Sequence, residues 1–129
     1  MFTIEQIQTA HSQVKSGADF PAYIHALKQL GVVAYDTWVT DGHTDYFGTN
    51  NFQTQSPVKY AALTIADTSH KEAFIRLLKL HQQGGSDYPT FCQHCAENGI
   101  NKWVVRIDAM TCTYYNKKGE AILVEQIPG

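Results

Sequence analysis

Charge is scarce in this chain. Only 17% of its 129 residues are Asp, Glu, Lys or Arg, against an average near ~25%, and no basic run is longer than Lys117-Lys118. Ten basic and twelve acidic side chains leave a formal net charge of −2. A phosphate backbone calls for a clustered basic footprint, so no nucleic-acid partner is expected. Long apolar runs are missing too: none approaches the ~20 residues of a membrane span, and no membrane partner is expected. The opening MFTIEQIQTAHSQVKSG has no basic segment leading into an apolar one, which argues against a secretory signal and for the cytoplasm. Cysteine is rare and odd in number, at three. An odd set cannot pair fully within one chain and suits reduced thiols. The signatures G-x-S-x-G, H-E-x-x-H, G-x-x-x-x-G-K-[ST] and G-x-G-x-x-G are all missing, so the usual nucleophile, zinc and phosphate sites find no support and no cofactor is expected.

What is present is an ordinary globular composition, 43% hydrophobic, in a length typical of a single domain over residues 1–129. Ile4, Ile7, Ala10, His11 and Val14 recur at helical spacing, and the pattern stops at Ser16-Gly17. Asp19 as N-cap, Pro21 in the first turn and Gly31 at the end frame a second helix through Tyr23, Ile24 and Leu27. VVAYDTWVT, the turn DGH and TDYF read as a hairpin, and VKYAALTIA after Pro57 as a third strand. The programme then repeats. Asp67, Thr68 or Ser69 would cap a helix with the stripe Ala73, Phe74, Leu77, Leu78 and His81, ending at Gly84-Gly85; another helix follows at 87–99. KWVVRIDAMTCTYY and AILVEQI read as strands around the turn NKKGE.

Two segments match beyond this shared order. DFPAYIHALKQLGV (19–32) and DYPTFCQHCAENGI (87–100) share Asp, aromatic, Pro, small, aromatic, seven residues, Gly and aliphatic at a constant offset of 68. The same offset pairs Gly17 with Gly85, Tyr35 with Trp103 and Tyr46 with Tyr114. The expected fold is α+β: two ααβββ halves, about 1–66 and 67–129, from an internal duplication, with a mostly antiparallel sheet and helices on one face.

The offset reinterprets the CQHC stretch. Cys92 and Cys95 share a helix face and align with Ile24 and Leu27, so they read first as small core residues. A zinc reading would enlist Cys92, His94, Cys95 and Cys112, but no second ligand pair stands at zinc spacing. A redox pair belongs at the start of a helix that follows a strand, and this one lies mid-helix after another helix. His94 aligns with Ala26 and stays unexplained. In the 102–115 stretch, period two sets Trp103, Val105, Ile107 and Ala109 on one face and Val104, Arg106, Asp108 and Met110 on the other. With Trp38, the second set reads either as a solvated face or as one wall of a cleft. Glu125 lies between apolar neighbours on its strand face, as an edge-strand gatekeeper or as an acid seeking a cation such as Arg106. Most of the Asp36, Asp41, His43 and Asp45 cluster reads as turn chemistry, with His43 a minor candidate.

The second half carries an aromatic-Cys helix, a Gly-x-x-x-Trp-Val entry, M-T-C-T-Y-Y, a Lys-Gly turn and the closing V-E-Q-I-P. In these it resembles the YbcV-like family, often labelled "phage envelope protein", a domain of unknown function. The resemblance covers about the whole chain and implies no catalytic residues. Function is then expected to be that of a binding or interaction module, non-enzymatic, monomeric or homodimeric, with a cleft or interface between the halves. Trp38, Trp103, Arg106, Asp108, Tyr114 and Glu125 are its ligand-binding candidates, and an unknown small molecule or protein its partner. The alternatives are an enzyme or metal-dependent protein using Cys92, His94, Cys95 or Glu125, and a phage-derived structural or host-modulating protein.

Overall fold

A computed structural model describes residues 1–14 and 19–128. Helix α1 (Ile4–His11) starts where Thr3 and Gln6 exchange backbone and side-chain hydrogen bonds, a capping box that satisfies two otherwise orphaned N–H groups. It ends at the Ser12 C-cap, earlier than the expected stop at Ser16-Gly17, which lies outside the described residues, as does the Gly17 half of the Gly17–Gly85 match. Helix α2 (Phe20–Leu30) has Pro21 in its first turn and closes on Gly31 in the left-handed conformation, as the sequence indicates. Strands β1 (Val32–Trp38) and β2 (Thr44–Gly48) form the expected hairpin, and β3 is Gln53–Gln55. Helices α3 (Lys71–Gln82) and α4 (Tyr88–Glu97) precede β4 (Lys102–Arg106), β5 (Thr111–Tyr115) and β6 (Ala121–Gln126).

The fold is α+β: among the described residues, four helices and one six-stranded antiparallel sheet in the order β3-β2-β1-β4-β5-β6. That order reads the same from both ends under the 68-residue offset, and so does the register. At the centre Asp36 pairs with Val104; Ala34↔Arg106 on one side answers Trp38↔Lys102 on the other. Tyr35↔Tyr46 has its counterpart in Trp103↔Tyr114, and Phe47↔Gln53 in Tyr115↔Ala121. The correspondence slips by one residue only beyond the irregularity opposite Tyr114 and Tyr115.

Three expectations are corrected. VKYAALTIA is not a strand. Its N–H groups go to turns and helix ends, Lys59 N to Asp41 O, Leu63 N to Thr40 O and Ala66 N to Ala96 O, so the segment straps one half to the other instead of joining a ladder. The 102–115 stretch is not continuous either: residues 107–110 turn, with Met110 at φ 52° and the Asp108 carboxylate accepting from Ala109 N. This hairpin takes Ala109 off the Trp103 face. Helix α3 is capped by none of Asp67, Thr68 or Ser69; its N-cap is His70, without a side-chain bond, and Asp67 instead receives the Lys117 ammonium at 2.7 Å.

Residues opposite one another in a ladder lie on the same face. One face of the sheet therefore carries Tyr35, Thr37, Tyr46, Trp103, Val105, Cys112 and Tyr114, all buried. Helix side chains meet this face: Phe74 of α3 contacts Tyr114, and Tyr88 and Phe91 of α4 contact Trp103. Ile24 and Leu27 in α2 and their counterparts Cys92 and Cys95 in α4 are all fully buried. Glu125 pairs with Cys112 and so faces the same side, accepting from Gln82 Nε2 at 3.2 and 3.3 Å and from the Tyr114 hydroxyl at 3.4 Å. Strand β6 is a sheet edge, and an inward-facing carboxylate on an edge strand discourages a further strand from docking. Arg106 lies on the opposite face and pairs with Asp108 at 3.6 Å, so it is not the cation for Glu125.

Candidate functional site

The three thiols cluster in the core on α4 and β5. Burial pushes all three above the ordinary thiol value, Cys112 to about 12, and Cys95 is raised further by its neighbours Cys92 and Cys112. At Cys92, hydrogen bonding to the Tyr60 and Tyr88 phenols opposes that rise only in part. A reactive or metal-bound sulfur has to become a thiolate, and these surroundings oppose it. Among the described residues no three His, Cys, Asp or Glu side chains are grouped to hold a metal. His94 is half-buried with Nδ1 unpartnered, and its backbone carbonyl receives Asn98 Nδ2 at 2.8 Å. Cys95→Ala is therefore expected to cost about 1–2 kcal/mol and Cys95→Val less, as at a packed apolar position. Urea titrations in which both variants match the parent would contradict a packing role for this thiol.

The ladder register divides the sequence-derived ligand candidates between the two faces. Trp103 and Tyr114 are buried on the helix-contacting face with Glu125 beside them, while Trp38 and Arg106 lie on the other and Asp108 sits in the β4–β5 turn. Around Trp38 the contacts are dense. Its indole N–H donates to Asp45 Oδ2 at 3.1 Å, the His43 ring stacks on it at 6.1 Å, and the Lys102 ammonium lies 4.8 Å from its ring and 5.6 Å from that of Tyr115. His43 in turn bonds Asp41 through Nδ1. These groups satisfy one another, and the Lys102 ammonium already lies against two aromatic rings.

A cavity of about 260 Å³ opens elsewhere, on the helix-contacting side of the first half. Ile4, Ile7, Gln8 and His11 of α1 form one wall with Ser12; Tyr23 of α2 and Tyr46 of β2 form the floor; Ser56 and Lys59 come from the strap after β3. The His11 ring meets the Tyr23 ring edge-on at 5.3 Å, which holds it at the mouth. Partial burial, and then the Lys59 charge, keep the His11 pKa below its ordinary value, so the imidazole is largely neutral at pH 7. Burial holds both tyrosine hydroxyls above their ordinary value; at Tyr23 the Tyr46 phenol adds to the rise. They are protonated hydrogen-bond donors throughout the physiological range. Lys59 reaches toward the second half, its ammonium 5.7 Å from the Tyr88 ring. No carboxylate is among the described residues lining the cavity.

At the 68-residue offset the first helices of the two halves differ in bulk. A second recess of about 390 Å³ lies between α1 and α2, lined by Gln6, Thr9, Ala10, Ala26, Gln29 and Leu30. Sixty-eight residues on from Gln6 and Ala10 stand Phe74 and Leu78, the two buried residues of α3; α1 buries only Ile7. Phe74 and Leu78 of α3 are part of the core, and His81 is stacked on Phe91 at 4.3 Å. Sequence reading placed His11 in an apolar helix stripe and Lys59 in a strand, and so missed both. The comparison of Gln6 with Phe74 and of Ala10 with Leu78 points only to the second recess, and no sequence signal marks the first.

The sequence model of one family, described as a protein of unknown function (DUF1398), matches residues 8–126. The chain belongs to this family. No curated protein matches it. No helix among the described residues is long and apolar enough to cross a membrane. The family match includes His11, Tyr23, Tyr46, Ser56 and Lys59 and starts after Ile4 and Ile7.

Proposed function

We propose that this protein is a small-molecule binding module, non-enzymatic, whose ligand occupies the cavity between α1, α2, β2 and the strap that joins the halves. The observation that carries this reading is the cavity itself, about 260 Å³, with Ile4 and Ile7 on one wall and phenol, imidazole and lysine side chains lining it. Small-molecule sites have this make-up, concave and mostly apolar with a few placed polar groups. The volume exceeds the ~150 Å³ that suffices for benzene. The two halves are copies of one ααβββ unit, a reading supported by the shared register about Asp36 and Val104. The cleft adjoins the junction of the halves through Lys59 and Tyr88.

Protein carrying ¹³C-labelled isoleucine methyls tests this with a fragment library. Binders are expected to shift the Ile4 and Ile7 methyls saturably while Ile107, on the far half, stays in place. A library that leaves Ile4 and Ile7 unmoved would overturn the proposal.

A further inference from the structure

Reading the cavity as a binding site leaves open what enters it, and its polar groups restrict the answer. Lys59 is the one charged side chain among the described residues lining the cavity. Beside it, the Tyr23 and Tyr46 hydroxyls are held protonated by burial and hydrogen-bonded to each other, Tyr46 also to Thr44, so they present a polar phenol pair. His11, neutral and pinned against Tyr23, can turn an N–H toward the same space. No Asp or Glu among the described residues lines the cavity to balance Lys59. A cationic ligand would meet Lys59 with no acid among the described lining residues to hold it, and an uncharged one would leave that charge without a counter-charge in the cavity.

From this we infer that the site takes a small organic anion, a monocarboxylate with an apolar body, its carboxylate turned toward Lys59 and the phenols and its body against Ile4 and Ile7. This inference rests on the cavity being the binding site. A polar phenol pair beside one cation suits a single carboxylate. The charge contact sits at a solvent-exposed rim, so its contribution is modest.

The test compares each acid with its neutral isostere, benzoate with benzamide and hexanoate with hexanamide, by titration while following the same Ile4 and Ile7 methyls. At least one acid is expected to bind about fivefold more tightly than its amide, a ratio typical of a single partly exposed charge contact. Lys59→Gln should remove that preference, bringing the acid-to-amide affinity ratio to about one. Equal affinity of acid and amide in both pairs, or a preference that survives Lys59→Gln, would overturn the anion assignment while leaving the cavity as a site. Silence of all four compounds at Ile4 and Ile7 would overturn the assignment if library fragments still bind there. If the fragments are silent too, the binding reading fails with it.

Discussion

Truncation of Phe74 to alanine is expected to lower stability by about 3–5 kcal/mol, the usual cost of emptying a fully buried aromatic site. Phe74 is 0% exposed and lies where α3, α4 and the sheet converge. Its ring meets Tyr114 of β5 at 5.0 Å in an edge-on geometry and Phe91 of α4 at 6.3 Å. Aromatic pairs of this kind contribute about 0.5–1.5 kcal/mol beyond the area they bury, so two are lost together with the side chain. The cavity left behind could not collapse easily, because Tyr114 is held by Trp103 on one side, at 6.1 Å, and by Glu125 on the other. Denaturant titration of the variant would register the change as a midpoint shift. A loss below about 1 kcal/mol would mean that the core of the second half is not packed as described.

Gly99→Ala is expected to cost about 3 kcal/mol or more, and the equivalent Gly31→Ala only about 1–2 kcal/mol. The two glycines occupy the same place in their halves, at the end of α2 and just beyond α4, and both are left-handed, at φ 100° and 79°. Backbone strain is therefore common to both substitutions. What differs is the neighbourhood. A Cβ on Gly31 would find only Phe2 Cδ2 at 3.9 Å, an ordinary contact, whereas a Cβ on Gly99 would lie 2.6 Å from Thr68 O and 2.7 Å from Ser69 Cα. Those are backbone atoms and cannot swing aside. They stand so close because the strap before α3 is bonded to the end of α4, Ala66 N to Ala96 O at 2.9 Å and His70 N to Asn98 O at 3.0 Å. Thermal melts of the two variants side by side isolate this contact, since the shared conformational penalty cancels in the difference. Equal destabilisation would show that the strap does not press on Gly99.

The pair also shows how far sequence reading reaches in this protein. Both glycines were legible as helix stops from their position after an apolar helical stripe, and the 68-residue offset made them equivalent. Only the strap distinguishes them. Its VKYAALTIA run read as a strand because Val, Tyr, Thr and Ile favour β-structure, but that preference does not show whether an extended segment is paired. The 102–115 stretch misled in the opposite sense: an unbroken run of strand-forming residues hid the turn at 107–110, which contains neither glycine nor proline. The core position of Cys92 and Cys95 was legible because their partners Ile24 and Leu27 are unambiguous apolar positions.

By itself the sequence determined the four helices, the α+β class and the matching order of the two halves, because helical period, capping residues and turn chemistry act over a few neighbouring positions. Only the tertiary structure decided that Arg106 and Glu125 stand on opposite faces, that the Trp38 cluster satisfies itself, and that His11, Tyr23, Tyr46 and Lys59 converge on a cavity. Each of these depends on strand register and on how helices and loops pack against the sheet, which bring together residues far apart in the chain. A single-residue change of register would turn every side chain of a strand to the other face, and no local pattern records which register the packed core selects.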